Sequence, residues 1–195
     1  KYPLYDEPQD KLYFDYGKQG ADSVLIYSFL REQGTETTVY VPVKLLGFLS
    51  DSDRRIAFEQ IMTGEDDAVA GTHYVAFTDE AAASKMILPA NQVEAKVPIT
   101  LKRDASLKDK RVNLRFTIKD NGEFGLGLYS NLVFTVQFSD KLEKPANWNY
   151  FAEYYLTTWS ETKHKFIEEA LNCVVDDAGL KKLGADASAP SGYDP

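Results

Sequence analysis

The sequence of 195 residues contains one cysteine, Cys173, and two histidines, His73 and His164. A single cysteine cannot form an internal disulfide, so the chain is not a small scaffold held together by disulfides. The same shortage of donors argues against a zinc site built from several histidine and cysteine ligands. No apolar run reaches the roughly 18 residues of a transmembrane helix, so none is predicted.

Basic residues are too few to balance the acidic ones. The chain has 22 Lys and Arg against 30 Asp and Glu, which gives a net charge of −8. An acidic surface repels phosphate backbones, so we expect no nucleic-acid partner. Attraction to anionic lipid headgroups is disfavoured for the same reason.

A strand–turn–strand pattern occurs twice along the chain. Residues 41–61 and 97–117 both begin Val-Pro-(Val/Ile)-x-Leu and then reach Ser, Asp and Arg at a constant offset, so that Val41 corresponds to Val97. Residues 93–101 and 111–119 alternate apolar and polar side chains, which is typical of half-buried antiparallel strands. Repeated two-strand units predict an antiparallel β-sandwich, and the 12 Tyr and 11 Phe favour strands as well.

The chain is predicted to form a mainly β, immunoglobulin-like sandwich with a helical C-terminal extension. Residues 1–143 are assigned to the sandwich and residues 144–195 to the extension, because the pattern of strands breaks at Lys144-Pro145. Within the sandwich, residues 54–62 are predicted to form one strand with Met62 facing inward.

The extension is predicted to contain one helix over residues 161–172, capped by Ser160. Its inward face is expected to carry an apolar set, made of Phe166, Ile167, Ala170 and Leu171. Since one short amphipathic helix is marginal in water, we expect the extension to pack on the sandwich.

Two loops carry the densest carboxylates: Asp51 and Asp53 in the first, and Asp66 and Asp67 in the second. Loops at one end of a sandwich could bring such oxygens together around Ca²⁺. The alternative is that these are solvated turn residues, which accept local backbone hydrogen bonds. The spacing is not that of an EF-hand, so we favour the turn interpretation and predict neither a bound metal nor a cofactor.

No set of residues indicates catalysis, and no enzymatic activity is predicted. A hydrolytic triad needs a nucleophile, a histidine and a carboxylate together. His73 is more simply interpreted as a turn residue bonded to backbone, and His164 as a solvated helix position. Cys173 is by default a buried, inert thiol. A hydrolase using carboxylates such as Glu153 and Glu161 is the least favoured alternative.

An aromatic stretch in the extension supplies the ligand-binding candidates: Trp148, Tyr150, Tyr154, Tyr155 and Trp159. Sugars present flat C–H faces that lie on aromatic rings, and Trp and Tyr also dominate protein interfaces. The alternative is that these rings bury the extension against the sandwich.

Several segments together resemble known families. The turn Gly71-Thr72-His73-Tyr74 is similar to one in Calx-beta domains, which can bind calcium, although His73 stands where Asp is common. The chain as a whole resembles an uncharacterised family of Bacteroidetes surface lipoproteins, a domain of unknown function. The resemblance lies in these segments: 41–47, 53–56, 71–74, 97–101, Ser139-Asp140-Lys141-Leu142, Lys144-Pro145, Trp148, and Trp159-Ser160 followed by Lys163, Lys165 and Phe166.

The resemblance implies an immunoglobulin-like, Calx-beta-like sandwich and export to the outer membrane or cell surface. It implies membrane attachment only through a lipid on a cysteine upstream of Lys1, and a setting in operons that capture polysaccharides. The start at Lys-Tyr-Pro, without Met, is expected for a chain whose targeting segment has been removed. The sequence therefore predicts a non-catalytic cell-surface binding or accessory module for polysaccharides or partner proteins. A protein-only adhesion or structural lipoprotein is the alternative.

Overall fold

The computed structural model describes residues 9–16, 23–127, 129–142, 144–145, 148, 158–176 and 179–180. The chain divides into two compact units, Lys1–Lys141 and Leu142–Pro195. The described residues contain ten strands and two α-helices: β1 Lys11–Phe14, β2 Val24–Ser28, β3 Glu36–Leu46, β4 Arg54–Arg55, β5 Phe58–Gln60, α1 Glu80–Ala83, β6 Ile87–Leu88, β7 Glu94–Lys102, β8 Val112–Ile118, β9 Gly125–Leu126, β10 Val133–Ser139 and α2 Glu161–Leu171. Short 3-10 helices lie at Phe29–Arg31, Ala105–Lys108 and Tyr129–Asn131.

The first unit is the predicted β-sandwich. One sheet has the order β7-β3-β1-β9, the other the order β2-β10-β8-β5, and β4 and β6 form a small third sheet. Most pairs are antiparallel, as the alternating segments predicted. The sheets are nevertheless mixed, because β1 runs parallel to β9 and β2 runs parallel to β10.

The repeat in the sequence is also a repeat in the fold. Val41 of β3 lies opposite Val97 of β7, and these two residues hold the same position in the two copies. Gln60 of β5 lies opposite Phe116 of β8, which is again a pair of equivalent positions. The two copies therefore pair with each other, once in each sheet, in a local two-fold arrangement.

The core lies between the two four-stranded sheets, and its side chains come from the inward phase of each alternating strand. Phe14 of β1 meets the opposite sheet with ring-centroid distances of 5.6 Å to Phe116 and 5.5 Å to Phe134. The apolar positions of β8 are all buried, as predicted: Val112, Leu114, Phe116 and Ile118.

Residues 54–62 do not form the single strand that we predicted. They form β4 and β5, and Met62 is 64% exposed instead of inward. After the bond from the Ile61 N–H to the Arg115 carbonyl, the Asp67 carboxylate accepts the Thr63 and Gly64 N–H groups and turns the chain away from the sheet. Local turn chemistry thus ends β5 at Gln60, two residues before Met62.

The second unit contains α2, and Ser160 caps it as predicted, with its hydroxyl accepting the Lys163 N–H. The inward face differs from the prediction, because His164 and Ile167 are buried whereas Phe166 is 67% exposed. His164 is therefore not a solvated position. Around this helix a small core forms from Trp148, Ile167, Val175 and Leu180. Packing of this unit on the sandwich stays a prediction.

Candidate functional site

His73 lies in the turn after β5 and is buried, with a hydrogen-bond partner on each ring nitrogen. Its Nδ1 accepts the Val69 N–H at 2.9 Å, which confirms the predicted bond to backbone. Its Nε2 lies 2.9 Å from the Ser106 hydroxyl, which donates to Asp104 Oδ1 at 2.6 Å. A histidine, a serine and an aspartate thus meet in one chain of hydrogen bonds.

The direction of these hydrogen bonds decides which chemistry the three side chains can perform. Because Nδ1 of His73 accepts a backbone N–H, the proton of the neutral ring resides on Nε2 and is donated to Ser106. A general base would have to accept the Ser106 proton at that nitrogen. The Ser106 proton instead points to Asp104, and that bond lowers the pKa of the Asp104 carboxyl. The arrangement fastens the 3-10 helix Ala105–Lys108 to the His73 turn.

Burial of His73 predicts a pH-dependent stability. Desolvation lowers the pKa of the imidazole below its ordinary value, partly offset by Asp104. The unfolded chain therefore binds a proton near pH ~6.5 that the folded chain resists, so stability is complete above that pH and falls as the pH decreases through the window below it. The slope is at most about 1.4 kcal/mol per pH unit.

Urea unfolding of wild type and His73→Gln between about pH 7.5 and about pH 5 tests this expectation. The glutamine cannot titrate, so the free energy of unfolding of the variant should change less with pH than that of wild type. Equal slopes for the two proteins would contradict it.

Each of the four carboxylates considered for Ca²⁺ has a polar partner, and the partners of Asp51 and Asp67 lie in the same turns as these carboxylates. Asp67 accepts hydrogen bonds from Thr63 and Gly64, which lower its pKa. Asp53 accepts the Ala90 N–H, Asp51 accepts the Ser52 hydroxyl, and Asp66 lies 3.4 Å from the Lys110 ammonium. Within the described ranges, no group of three or more His, Cys, Asp or Glu side chains could hold a metal ion.

The aromatic candidates of the extension divide into two sets. Trp148 is fully buried, and its ring stacks on His164 at 6.0 Å, so it is a core residue of the second unit. Trp159 is half-buried and donates its indole N–H to His164 Nδ1. Tyr150, Tyr154 and Tyr155 lie outside the described residues.

The remaining chemical candidates of this unit have partners of their own. Glu161 forms an ion pair of 2.7 Å with Lys165, and that bond lowers the pKa of its carboxyl. Glu153, its suggested catalytic partner, lies outside the described residues. Cys173 is a half-buried free thiol that packs against the small core.

A groove on the outer face of the first sheet offers a different binding site. It has a volume of about 450 Å³ and lies over β3 and β7, with α1 and its flanks as one wall. Tyr40 is its aromatic residue and is 57% exposed. Across the ladder Tyr40 faces Pro98, and Thr38 faces Thr100. Charged side chains also line the groove: Glu36, Asp79 and Lys85.

Local sequence explains how the wall of this groove forms. Asp79 accepts the Ala82 N–H at 3.0 Å and so caps α1, which is a single helical turn. The cap uses Asp79 Oδ1, and the residue is exposed. Lys85 follows directly after the turn and is exposed. The wall thereby presents one anion and one cation beside the tyrosine ring.

The predicted site residues do not include Tyr40, although the sequence contains a signal for this groove. Tyr40 occupies the polar phase of β3, between the buried residues Val39 and Val41. A large aromatic residue on the water-facing side of an alternating strand adds nothing to the core of its sheet. The Tyr40 ring is therefore free to contact a ligand.

A second groove of about 440 Å³ lies over Ile56, Phe58 and Phe77. The ring of Phe77 meets that of Phe58 edge-on at 5.7 Å, so its aromatic surface belongs to the core. The polar rim is also occupied, because Glu123 accepts the Arg55 N–H and Asn121 donates to the Arg55 carbonyl. The groove around Tyr40 is therefore the better candidate.

The fold and the groove together define a β-sandwich domain with a groove on the outer face of one sheet. The chain belongs to the DUF4843 family, a domain of unknown function whose model matches residues 5–172. A search of curated proteins finds no match. Among the described residues, no helix combines the length and apolar composition needed to cross a membrane.

Three solved structures are similar to parts of this chain, each with a TM-score of 0.41. One is a proposed carbohydrate binding protein from Bacteroides ovatus ATCC 8483, with 15% identity over 68% of this chain and 38% of its own. Another, of unknown function and also from Bacteroides ovatus, has 12% identity over 65% of this chain and 43% of its own. A two-domain protein of unknown function from Bacteroides fragilis NCTC 9343 has 8% identity over 69% and 46%. The chain thus spans less than half the length of each.

Proposed function

We propose that this protein is a non-catalytic glycan-binding module of the cell surface and that the groove around Tyr40 is its binding site. The observation that supports this most directly is the exposed Tyr40 ring on a rigid sheet, beside hydroxyl and carboxylate groups. Pyranose rings have an apolar C–H face and a rim of hydroxyls that both donate and accept hydrogen bonds. An aromatic ring next to carboxylates and hydroxyls complements both features.

The position of the ring favours recognition of a pre-formed, extended ligand. β3 pairs with β7 over residues 36–44, and Tyr40 lies in the middle of that ladder, so the backbone beneath Tyr40 is held in place. Thr38 and Thr100 point to the same face, because residues two apart on a strand share a side. A sugar chain lying along this face would meet the ring and the threonine hydroxyls without a change in the fold.

The absence of enzymatic activity is part of the proposal. His73 donates to Ser106 and cannot serve as its base, and Glu161 is paired with Lys165. The groove itself brings Glu36 and Asp79 near the tyrosine, but Asp79 caps α1 and Glu36 lies 4.0 Å from the Lys102 ammonium. We assign these carboxylates to binding.

The proposal also includes the cellular setting that the resemblance to Bacteroidetes surface lipoproteins implies. The protein would be exported and held at the outer membrane by a lipid, with an immunoglobulin-like, Calx-beta-like sandwich facing outward. A net charge of −8 suits a module held by a lipid rather than by attraction to anionic headgroups.

Replacing Tyr40 with alanine should weaken polysaccharide binding about tenfold or more, because the lost ring contact is worth at least ~1.5 kcal/mol. Affinity gel electrophoresis against a panel of neutral and acidic polysaccharides, followed by calorimetry on each one retained, measures the effect. Tyr40→Trp keeps a ring and should bind, whereas Met62→Ala removes an exposed side chain elsewhere and serves as the matched control. Retention of no polysaccharide, or equal binding by Tyr40→Ala, would refute the assignment.

A protein-only adhesion role is the second candidate. It is favoured by a separate observation, the exposed Phe48 and Leu49 side chains at one end of the sandwich. Under this alternative the protein retains no polysaccharide at all.

A further inference from the structure

Apolar side chains are exposed together at one end of the sandwich. Phe48 is 75% exposed and Leu49 56%, and Leu46 and Val93 beside them are also exposed. We call these four residues the apolar tip. The Leu45 N–H donates to the Val93 carbonyl and the Asn91 N–H to the Ser50 carbonyl, so the loops that follow β3 and precede β7 are joined.

An ion pair holds the loop that carries Phe48 and Leu49. Asp10 Oδ1 accepts the Phe48 N–H at 2.9 Å, and Asp10 Oδ2 lies 2.6 Å from Arg54 Nη1. Arg54 Nη2 donates to the Phe48 carbonyl at 3.2 Å. Both backbone polar groups of Phe48 are therefore bound by one carboxylate–guanidinium pair.

Two further features hold the Asp10–Arg54 ion pair in place. The Arg54 guanidinium lies 4.5 Å from the centre of the Phe124 ring, which is buried, so the cation is anchored to the core. Gly47 has a φ of 150°, and a Cβ there would overlap the Asp10 carboxylate. The chain thus needs a glycine at this position for Asp10 to reach the Phe48 N–H.

An exposed apolar loop is normally mobile, since its residues gain nothing from order. Here a charged pair, a buried ring and a glycine fix the backbone of Phe48, whose side chain is exposed. Ordering this backbone before contact lowers the entropic cost of binding, which is the usual advantage of preorganised anchors. The arrangement therefore indicates a contact surface.

The charges of the two loops indicate what kind of partner fits. Asp51 and Asp53 are exposed around the tip, whereas Glu94 lies opposite Lys44 on the β3–β7 ladder. Arg54 of β4, the cation that holds the loop, is already neutralised by Asp10. An anionic lipid surface would be repelled by these carboxylates. A second copy would bring the same carboxylates against each other. A protein with an apolar pocket and a basic rim complements both the side chains and the charge.

We propose that the apolar tip is a docking site for a partner protein whose apolar pocket is bordered by Lys or Arg. This site is separate from the glycan groove. Tyr40 and Leu46 lie on the same strand, about 20 Å apart at ~3.3 Å per residue. A ligand in the groove and a protein on the tip can be bound at the same time, and either proposal can fail alone.

Site-specific photo-crosslinking in the native cell tests this proposal. A benzoylphenylalanine replaces Phe48 in the full chain, and the matched control carries it at Met62, which is exposed to a similar degree away from the tip. We expect a discrete protein adduct from position 48 that is absent from position 62. The adduct is identified and purified, and its affinity for the unlabelled protein is then measured.

The purified partner should bind at least about tenfold more weakly to Phe48→Ser and to Asp51→Lys than to wild type, and binding should weaken with salt. Gly47→Val, which keeps Phe48 but displaces Asp10, should also weaken binding. Tyr40→Ala should bind as wild type does, which separates this result from the glycan test. Adducts to lipid or to a second copy, no adduct, or undiminished binding by Phe48→Ser would each overturn the proposal.

Discussion

Phe116→Ala is expected to lower the free energy of unfolding of the sandwich by about 3–5 kcal/mol. Phe116 has no exposed surface and lies between the two sheets. Its ring meets four other aromatic rings at centroid distances of 5.0–5.9 Å: Phe14, Phe58, Phe77 and Phe134. Removing it leaves a cavity that rigid neighbouring rings cannot fill, so the loss takes a large part of the ~5–15 kcal/mol that stabilises a typical domain.

Urea unfolding followed by far-ultraviolet circular dichroism measures this loss. The matched control is Phe48→Ala, which removes the same side chain from a position 75% exposed. It should change the free energy of unfolding by no more than about 0.5 kcal/mol. A loss below about 1 kcal/mol for Phe116→Ala would mean that the rings do not form one tightly packed core.

The β-sandwich could be predicted because the alternation of apolar and polar residues that specifies its strands is visible within short segments of the sequence. In β8, apolar and polar residues alternate without a break, and a period of two specifies both an extended chain and one buried face. The repeat added long-range information, since equivalent strands of the two copies pair at equivalent positions. The parallel pairing of β2 with β10 could not be predicted, because the order of strands depends on contacts between distant segments.

The errors fall where polar contacts override hydropathy. In α2, hydropathy predicted Phe166 on the buried face and His164 in water, whereas His164 is buried and Phe166 is exposed. The histidine is buried because Trp159 and Glu168 satisfy both of its ring nitrogens, so burial leaves no unpaired polar atom. Nothing in the local pattern shows that these partners will converge.

The candidate sites were missed for a related reason. The density of Trp and Tyr predicted a binding site in the aromatic stretch of the extension. The groove instead depends on a single tyrosine, Tyr40, on the outer face of a strand. The tip depends on Asp10, Arg54 and Gly47, which are far apart in the sequence and ordinary in type. A periodicity can place Tyr40 outside, but only the fold brings Asp10 to the Phe48 N–H.

Trp148→Ala should abolish the ordered structure of the second unit. Trp148 is the largest residue of its small core, fully buried and stacked on His164 with an interplanar angle of 23°. A truncation of this size costs about 3–5 kcal/mol, which is as much as the core of a unit this small usually contributes to stability. The helix α2 should then melt, because a helix of its length is marginal without tertiary contacts.

Amide hydrogen exchange, read separately for α2 and for β3 and β8, tests this expectation. The α2 amides should lose protection in Trp148→Ala, and the emission of the remaining tryptophan, Trp159, should shift to the red. The matched control is Phe166→Ala on the same helix, which should leave α2 protected because the ring is already in water. Protected α2 amides in Trp148→Ala would contradict the central role of this ring. Loss of protection in Phe166→Ala would instead restore the inward face that hydropathy predicts for the helix.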